Sequence, residues 1–341
     1  MRIRLRRITH PCFSASRHII FRAIFRGDLF RLETFQVLPS AIEGEDAPSA
    51  SQVNSPTDGF DPVRVSVSEK LRNYLTADDV TSADRTAARA ELDELARTHL
   101  YAGAGVLVLT GLRPGQARGE RAVVRVTRLL GEPMPQNREG TLVREVRDRG
   151  ASISQRGRVR YSDTRFGGDL HTDGAEAPLP APDVFTLFCV RQSVDGGALR
   201  CVHVRDLERL LSDDVLATLR EPFHFDRRGD QRDGAGPTTV KPVLFTQHDR
   251  PSITYLRSYI EQGHDHPGVP DLTERQLKAL DALDAAVDAC AEAVVGKLNE
   301  GELALFDNLS VLHGRTEFQD APDYTRLLLR TWVRRDLPAA S

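Results

Sequence analysis

The chain has 341 residues, 40% hydrophobic and 28% charged, with 25 glycines, which is ordinary globular composition and excludes wholesale disorder. Its length allows one large domain or two small ones. The balance of 46 Lys+Arg against 49 Asp+Glu gives a net charge of −3, which argues against a chain-wide basic surface for nucleic acid. Uncharged Tyr101–Leu112 falls short of the ~20 apolar residues of a membrane-spanning helix, so neither a nucleic-acid nor a membrane partner is expected. Cys12, Cys189, Cys201 and Cys290 are scattered, without a CxxC motif, and read as reduced thiols of a cytoplasmic protein.

Residues 1–31 hold Arg2, Arg4, Arg6, Arg7, Arg17, Arg22, Arg26 and Arg31 against the single acid Asp28. That composition resembles a targeting segment but also suits a loosely packed extension or an overlong start. Residues 39–59 are rich in Pro, Ser and small polar residues and read as a linker too polar to order itself. The expected division is therefore a basic extension and linker over 1–60 and one continuous domain over 61–336.

Within that domain, Ser82–His99 carries Leu92 and Leu95 at helical spacing, followed by Gly103, Gly105 and the apolar run Val106–Leu109, so a helix leading into a buried strand is expected. Tyr255, Arg257 and Tyr259 alternate with Leu256 and Ser258, as on a strand whose face lines a pocket. Thr273–Gln276 has capping-box spacing ahead of Leu277, Leu280, Val287 and Val294, which predicts a long amphipathic helix. Val294–Leu298, Leu303–Phe306 and Thr325–Val333 read as strands. The fold class expected is mainly β with flanking helices, a mostly antiparallel double sheet.

The chemistry gathers in two places. In Gly168–Gly174, His171 and Asp173 stand two apart and, on a strand, present an imidazole and a carboxylate to one point. Alone, such a pair is common and reads as a surface His beside a turn Asp. The segment Ala304–Arg315 brings a third candidate, His313, and two His plus one carboxylate form the open facial triad used for non-heme Fe(II) and O2. Arg326 and Arg330 follow in Tyr324–Trp332. On a strand they share a face with Leu328 and point into a partly apolar interior, where an unpaired guanidinium costs several kcal/mol unless an anion meets it. The plainer reading pairs them with carboxylates of neighbouring strands.

In this order, HTDG (171–174), FDNxxxLHGRTEF (306–318) and RLLLRTW (326–332) resemble the taurine dioxygenase/clavaminate synthase-like family of Fe(II)- and 2-oxoglutarate-dependent oxygenases. The likeness extends over about residues 65–335 and includes Leu107–Leu112 and Gly131–Asn137. It implies a double-stranded β-helix (jelly-roll, cupin-like) core with iron held by His171, Asp173 and His313. Arg326 matches the family arginine that grips the distal carboxylate of 2-oxoglutarate, and Arg330 a position that often holds an anionic group of the substrate. The implied activity is hydroxylation of an unactivated C–H bond of a small amine- or carboxylate-bearing molecule, with O2 consumed and succinate and CO2 released. One departure stands out: related sequences carry Thr or Ser shortly after a Gly-Gly pair, whereas here Gly196-Gly197 leads to Ala198 and Leu199.

A non-catalytic cupin-like metal-binding or sensor protein is the alternative, and a hydrolase or isomerase on the same barrel is another; neither needs a buried arginine at cosubstrate distance. His264 and His266 have ligand-like spacing in a Gly/Pro-rich stretch but read as solvated residues. His203 reads as structural, and Asp307 and Asn308 as a turn.

Overall fold

The computed structural model describes residues 63–137, 139–150, 161–177, 179–229, 234–290 and 294–335, together with 22–23 and 32–33. The chain divides into two units, Met1–Val53 and Asn54–Ser341. In the first, β1 (Arg22–Ala23) and β2 (Leu32–Glu33) form an antiparallel pair. The rest of the extension and linker expected over 1–60 lies outside the described residues.

The second unit opens with β3 (Val63–Ser66), α1 (Glu69–Thr76) and α2 (Ser82–Leu95). Ser68 accepts the Leu71 N–H to start α1, and Thr81 and Asp84 form a reciprocal capping box on α2, satisfying backbone donors that a helix start leaves open. The helix expected to reach His99 ends its α-helical part at Leu95 and widens into a π-helical stretch, Ala96–Ala104. Gly105, at φ 78°, then turns the chain into β4 (Val106–Thr110), α3 (Gln116–Leu130), β5 (Gly131–Met134) and β6 (Arg144–Val146). Next come β7 (Val184–Arg191), β8 (Asp195–Gly196), β9 (Leu199–His203), α4 (Val204–Leu210) and α5 (Asp213–Leu219). Two hairpins follow, β10 (Pro222–Asp226) with β11 (Thr238–Pro242) and β12 (Leu244–Gln247) with β13 (Arg250–Ile253). The chain closes through α6 (Arg257–His264), α7 (Glu274–Cys290), β14 (Val294–Gly296), β15 (Leu303–Asp307), β16 (Val311–Arg315), β17 (Phe318–Gln319) and β18 (Leu327–Arg335).

The main sheet runs β3-β4-β15-β7-β18-β5, with β6 also on β18, and a smaller sheet runs β14-β9-β16. Only β3–β4 is parallel among these pairs. Alternation along each strand divides the apolar residues between two layers. Val106, Phe185, Leu187, Phe306, Leu328 and Trp332 of the main sheet pack with Leu199, Cys201 and Val311 of the smaller one. The opposite face of the main sheet, including Leu107, Phe188, Leu305 and Leu329, packs on α1, α2 and α3. Val202 and Leu312 on the outer face of the smaller sheet pack with α4–α7 and the two hairpins.

Three expectations are corrected. The described helices contribute at least as many residues as the strands, so the content is mixed rather than mainly β, because helices cover the outer faces of both sheets. The hydrogen bonding of the described strands gives the main sheet, the three-stranded sheet and four two-stranded pairs, with no closed barrel. Tyr255–Tyr259 is not a strand. Tyr255 pairs its backbone with Thr172, and Arg257 opens α6, so the apparent alternation is a short extended segment running into a helix. Helix α7 keeps its cap, Thr273 Oγ1 accepting the Gln276 N–H at 3.2 Å and Gln276 Oε1 accepting the Thr273 N–H at 3.0 Å. Its buried face is Ala279, Leu280, Leu283, Ala286 and Val287. Leu277 is exposed, and Val294 belongs to β14.

Strand β18 is held to its neighbours by a buried hydroxyl relay. Thr127 donates to Val123 O at 2.7 Å, and Thr331 Oγ1 lies 2.7 Å from both Thr127 and Thr186 Oγ1. With the Thr127 proton committed to a carbonyl, Thr331 must donate to Thr127 and accept from Thr186. Thr331→Val keeps the shape but leaves the Thr186 hydroxyl without an acceptor, and chemical denaturation should show a loss of about 1–3 kcal/mol.

Candidate metal centre and anion pocket

Strand β16 meets the segment before it in space through one reciprocal backbone pair. His171 N–H donates to His313 O at 2.9 Å, and His313 N–H donates to His171 O at 2.8 Å. Directly opposed residues of an antiparallel pair project to the same face, so the two imidazoles stand side by side with ring centroids 4.5 Å apart. On the other edge of β16, Cys201 of β9 is opposite His313, and the Phe185 ring packs 4.2 Å from the His313 ring.

Asp173 arrives differently from a regular strand. Thr172 N–H donates to Tyr255 O at 2.9 Å, Tyr255 N–H donates to Thr172 Oγ1 at 3.0 Å, and the chain turns at Asp173. Asn308 fixes that turn: its Oδ1 accepts the Asp173 N–H at 2.8 Å, and its Nδ2 donates to Asp173 O at 3.0 Å and Pro182 O at 2.9 Å. Asp173 Oδ1 thereby lies 4.0 Å from His171 Nε2 and 3.9 Å from His313 Nε2. Among the described residues this is the one group of three or more His, Cys, Asp or Glu whose ligand atoms all fall within 4.8 Å of one another.

The donor set suits a divalent cation. His171 Nδ1 faces Asp169 O at 2.8 Å, so that nitrogen carries the proton and Nε2 keeps its lone pair for the centre. Burial, reinforced by His171, pushes His313 down to about 3, so it is a neutral imidazole at ordinary pH. Burial works against ionisation of Asp173, but the Arg330 guanidinium foremost, with the Trp332 N–H, outweighs it and holds the carboxyl below its usual range. Arg330 Nη1 donates to Oδ1 at 2.8 Å and Trp332 Nε1 to Oδ2 at 2.9 Å. Arg330 also donates through Nε to Gln136 Oε1 at 2.8 Å, and Gln136 Nε2 returns a bond to Arg330 O at 2.9 Å.

Two cavities meet at this centre. One is lined by His171, His313, Leu199, Arg326 and Arg330 among others. The second shares His171 and Arg330 and adds Asp173, Glu176, Tyr259 and Trp332. Arg326 is 1% exposed, its Nη1 is buried without a hydrogen-bond partner, and its guanidinium lies 5.0 Å from the Phe318 ring centroid. Burial, with Arg315 nearby, pushes its pKa down to about 10. The two arginines therefore share a site but differ in state, since Arg330 is paired with a carboxylate and Arg326 is not, among the described residues.

His171, Asp173, His313, Arg326 and Arg330 are thus brought together. Tyr259 reaches the second cavity from α6. Tyr255 instead donates its hydroxyl to Asp284, and Arg257 pairs with Glu261, Asp281 and Asp284. His264 accepts the His224 N–H at 3.1 Å and faces Pro270 O at 2.7 Å, while His266 lies 3.3 Å from Asp226; these two histidines do not converge on a common point. His203 caps α4. From the sequence Asn308 reads only as a turn residue, and Gln136 and Trp332 carry no assigned part. Trp332 had a signal, being two residues past Arg330 on the same strand face, whereas nothing local marked Asn308 as the clamp on Asp173.

The chain matches the family model described as "Taurine catabolism dioxygenase TauD, TfdA family" over residues 68–332. It belongs to this family. It is 36% identical over 159 residues to L-asparagine oxygenase of Streptomyces coelicolor, covering 46% of this chain and 44% of that protein. It is 30% identical over 194 residues to enduracididine beta-hydroxylase of Streptomyces hygroscopicus, covering 49% and 53% respectively. The chain so spans about half the length of the curated relatives it matches. A crystal structure of asparagine oxygenase matches with TM-score 0.58 and 25% identity over 80% of this chain and 93% of that one. The non-heme iron oxygenase OrfP with Fe and alpha-ketoglutaric acid matches in fold, with TM-score 0.56 and 20% identity over 81% and 95%.

Burial makes the centre's surroundings acid-sensitive. His203, like His313, is pushed down to about 3, chiefly by burial and then by Arg205, Arg250 and Arg209, from an ordinary 6.5. Below that ordinary value the unfolded chain takes up protons that the native state refuses. The stability contribution is therefore full above about pH 6.5 and lost progressively as pH falls toward about 3. Unfolding of the metal-free protein across this window should show the decline, and His203→Asn, which retains a helix cap, should flatten it.

Proposed function

We propose that this protein is an Fe(II)- and 2-oxoglutarate-dependent dioxygenase that hydroxylates an unactivated C–H bond of a small amine- and carboxylate-bearing molecule, releasing succinate and CO2. The observation that carries this reading is the convergence of His171, Asp173 and His313 beside a cavity lined by both histidines and by Arg326, whose Nη1 is buried without a hydrogen-bond partner. A structural metal has no use for that guanidinium, whereas a dicarboxylate cosubstrate does. Bound iron would supply O2 activation driven by oxidative decarboxylation of the 2-oxo acid.

The remaining work falls to the chain. His171 and His313 offer Nε2 atoms and Asp173 a carboxylate held ionised, and Arg326 grips the distal carboxylate of 2-oxoglutarate. Arg330, which also pairs with Asp173, and Glu176 line the second cavity, a basic and an acidic residue beside the place of the substrate. Those two residues and the names of the relatives, an asparagine oxygenase and an enduracididine hydroxylase, favour an amino acid or a close analogue. Leu256, Tyr259 and Trp332 give that cavity an apolar and aromatic wall.

On this reading the two sheets are the halves of a double-stranded β-helix, and residues 61–336 are the catalytic domain. No helix among the described residues is long and apolar enough to cross a membrane, and a small-molecule substrate met in the cytoplasm fits the free, buried Cys189 and Cys201. Truncation before Gly59 should leave folding and 2-oxoglutarate binding nearly unchanged; an insoluble product would show that the earlier residues are required.

Anaerobic addition of Fe(II) and 2-oxoglutarate should give the weak visible charge-transfer band of the chelate, and His171→Ala, Asp173→Ala or His313→Ala should abolish it together with turnover. Arg326→Ala should weaken cosubstrate binding roughly 10- to 100-fold, the size of a charge-assisted hydrogen bond. Arg330→Ala, which strips Asp173 of the guanidinium that holds it ionised, should lower Fe(II) affinity and raise the substrate KM, while the 2-oxoglutarate Kd at saturating Fe(II) stays within a few-fold. Reversed effects of the two arginine variants would overturn their assignment.

A further inference from the structure

Gln192, directly after β7, faces Arg326 with a neutral acceptor. Its Oε1 accepts from Arg326 Nε at 3.2 Å, from the Ser193 N–H at 2.9 Å and from Ser193 Oγ at 3.2 Å, while its Nε2 donates to Leu298 O at 2.7 Å. These partners fix the amide's orientation, since turning it over would set an NH2 against two N–H donors and its oxygen against a carbonyl. The neighbouring turn is shaped for the same contact. Gly197 sits at φ +76°, where a Cβ would lie 2.8 Å from Ser193 Oγ and 3.4 Å from Arg326 Nε.

We propose that Gln192 is the positioning residue for the cosubstrate arginine, anchoring Arg326 by its Nε through an uncharged carbonyl so that the guanidinium's charge and its Nη1 stay available to the distal carboxylate of 2-oxoglutarate. The proposal rests on the reading of Arg326 given above. Charge is the point of the device. A carboxylate at 192 would hold the arginine equally well but form an ion pair inside the protein, and the incoming dicarboxylate would then have to compete for a neutralised partner. The demand on Arg326 is high because Leu199, which lines the same cavity, offers no hydroxyl to share the carboxylate.

The test compares 2-oxoglutarate with 2-oxovalerate, which keeps the chelating 2-oxo acid and lacks the distal carboxylate. Full-length wild type, Gln192→Glu, Gln192→Met and Arg326→Ala are titrated with each acid in the presence of Fe(II) without oxygen, following the charge-transfer band. Gln192→Glu should raise the Kd for 2-oxoglutarate about tenfold or more while leaving that for 2-oxovalerate within about twofold, so that the preference between the acids collapses. Gln192→Met should show a smaller loss of the same preference, and carries the test if the charged variant fails to fold. Equal weakening of both acids, or an unchanged preference in both Gln192 variants, overturns the proposal. If Arg326→Ala itself keeps the preference for 2-oxoglutarate, the reading of Arg326 fails; if Arg326→Ala loses it and the Gln192 variants do not, the role of Gln192 alone fails.

Discussion

The reciprocal hydrogen-bonded pair between His171 and His313 organises everything around it. Those two backbone bonds set the rings on one face, and no side-chain contact could do so as rigidly. Each histidine is committed through its main chain, with β9 behind His313 and the Thr172–Tyr255 pairing next to His171. Asp173 then needs only one turn to come within 4.0 Å of both Nε2 atoms, and Asn308 holds that turn from the loop between β15 and β16. The segment after β15 thus supplies both a ring of the centre and the clamp on its carboxylate.

Burying charge at such a centre is costly unless each charge is answered. Asp173 is answered twice, by Arg330 and Trp332 from alternate positions of β18, and it remains ionised despite its burial. Arg326 is answered only by neutral groups among the described residues, an amide oxygen and an aromatic face. A protein that places these two arginines four residues apart and completes one while leaving the other open separates two anionic functions by pairing rather than by distance. One guanidinium serves the centre's own carboxylate and borders the second cavity; the other has spare hydrogen-bonding capacity at a cavity wall.

The helices make this precision affordable. Strand β18 is buried on both sides, with Leu327, Leu329 and Val333 against α1–α3 and Leu328 and Trp332 in the layer between the sheets. The Thr127–Thr331–Thr186 relay ties its helix-facing side to α3 and β7. A strand so constrained presents Arg330 and Trp332 at fixed heights, which positions a site better than a loop would.

The sequence by itself determined the pieces whose signal is local or alternating. The HxD pair, the later His313, the strand rhythm that sends Arg330 inward with Leu328, and the capping of α7 are all legible because periodicity and capping act over a few residues. Family likeness added the order in which those pieces belong together, and the family match over residues 68–332 bears that likeness out. Tertiary structure decided the rest. Whether Tyr255–Tyr259 continues as a strand depends on Thr172, more than eighty residues away, taking its backbone. Which arginine is paired depends on Asp173 reaching Arg330 and on Gln192 being neutral at Arg326. The part played by Asn308 lies in hydrogen bonds to Asp173 and Pro182, 135 and 126 residues distant along the chain. These outcomes turn on which polar groups find partners once the sheets close on one another, and no local pattern encodes a partner that only the fold brings near.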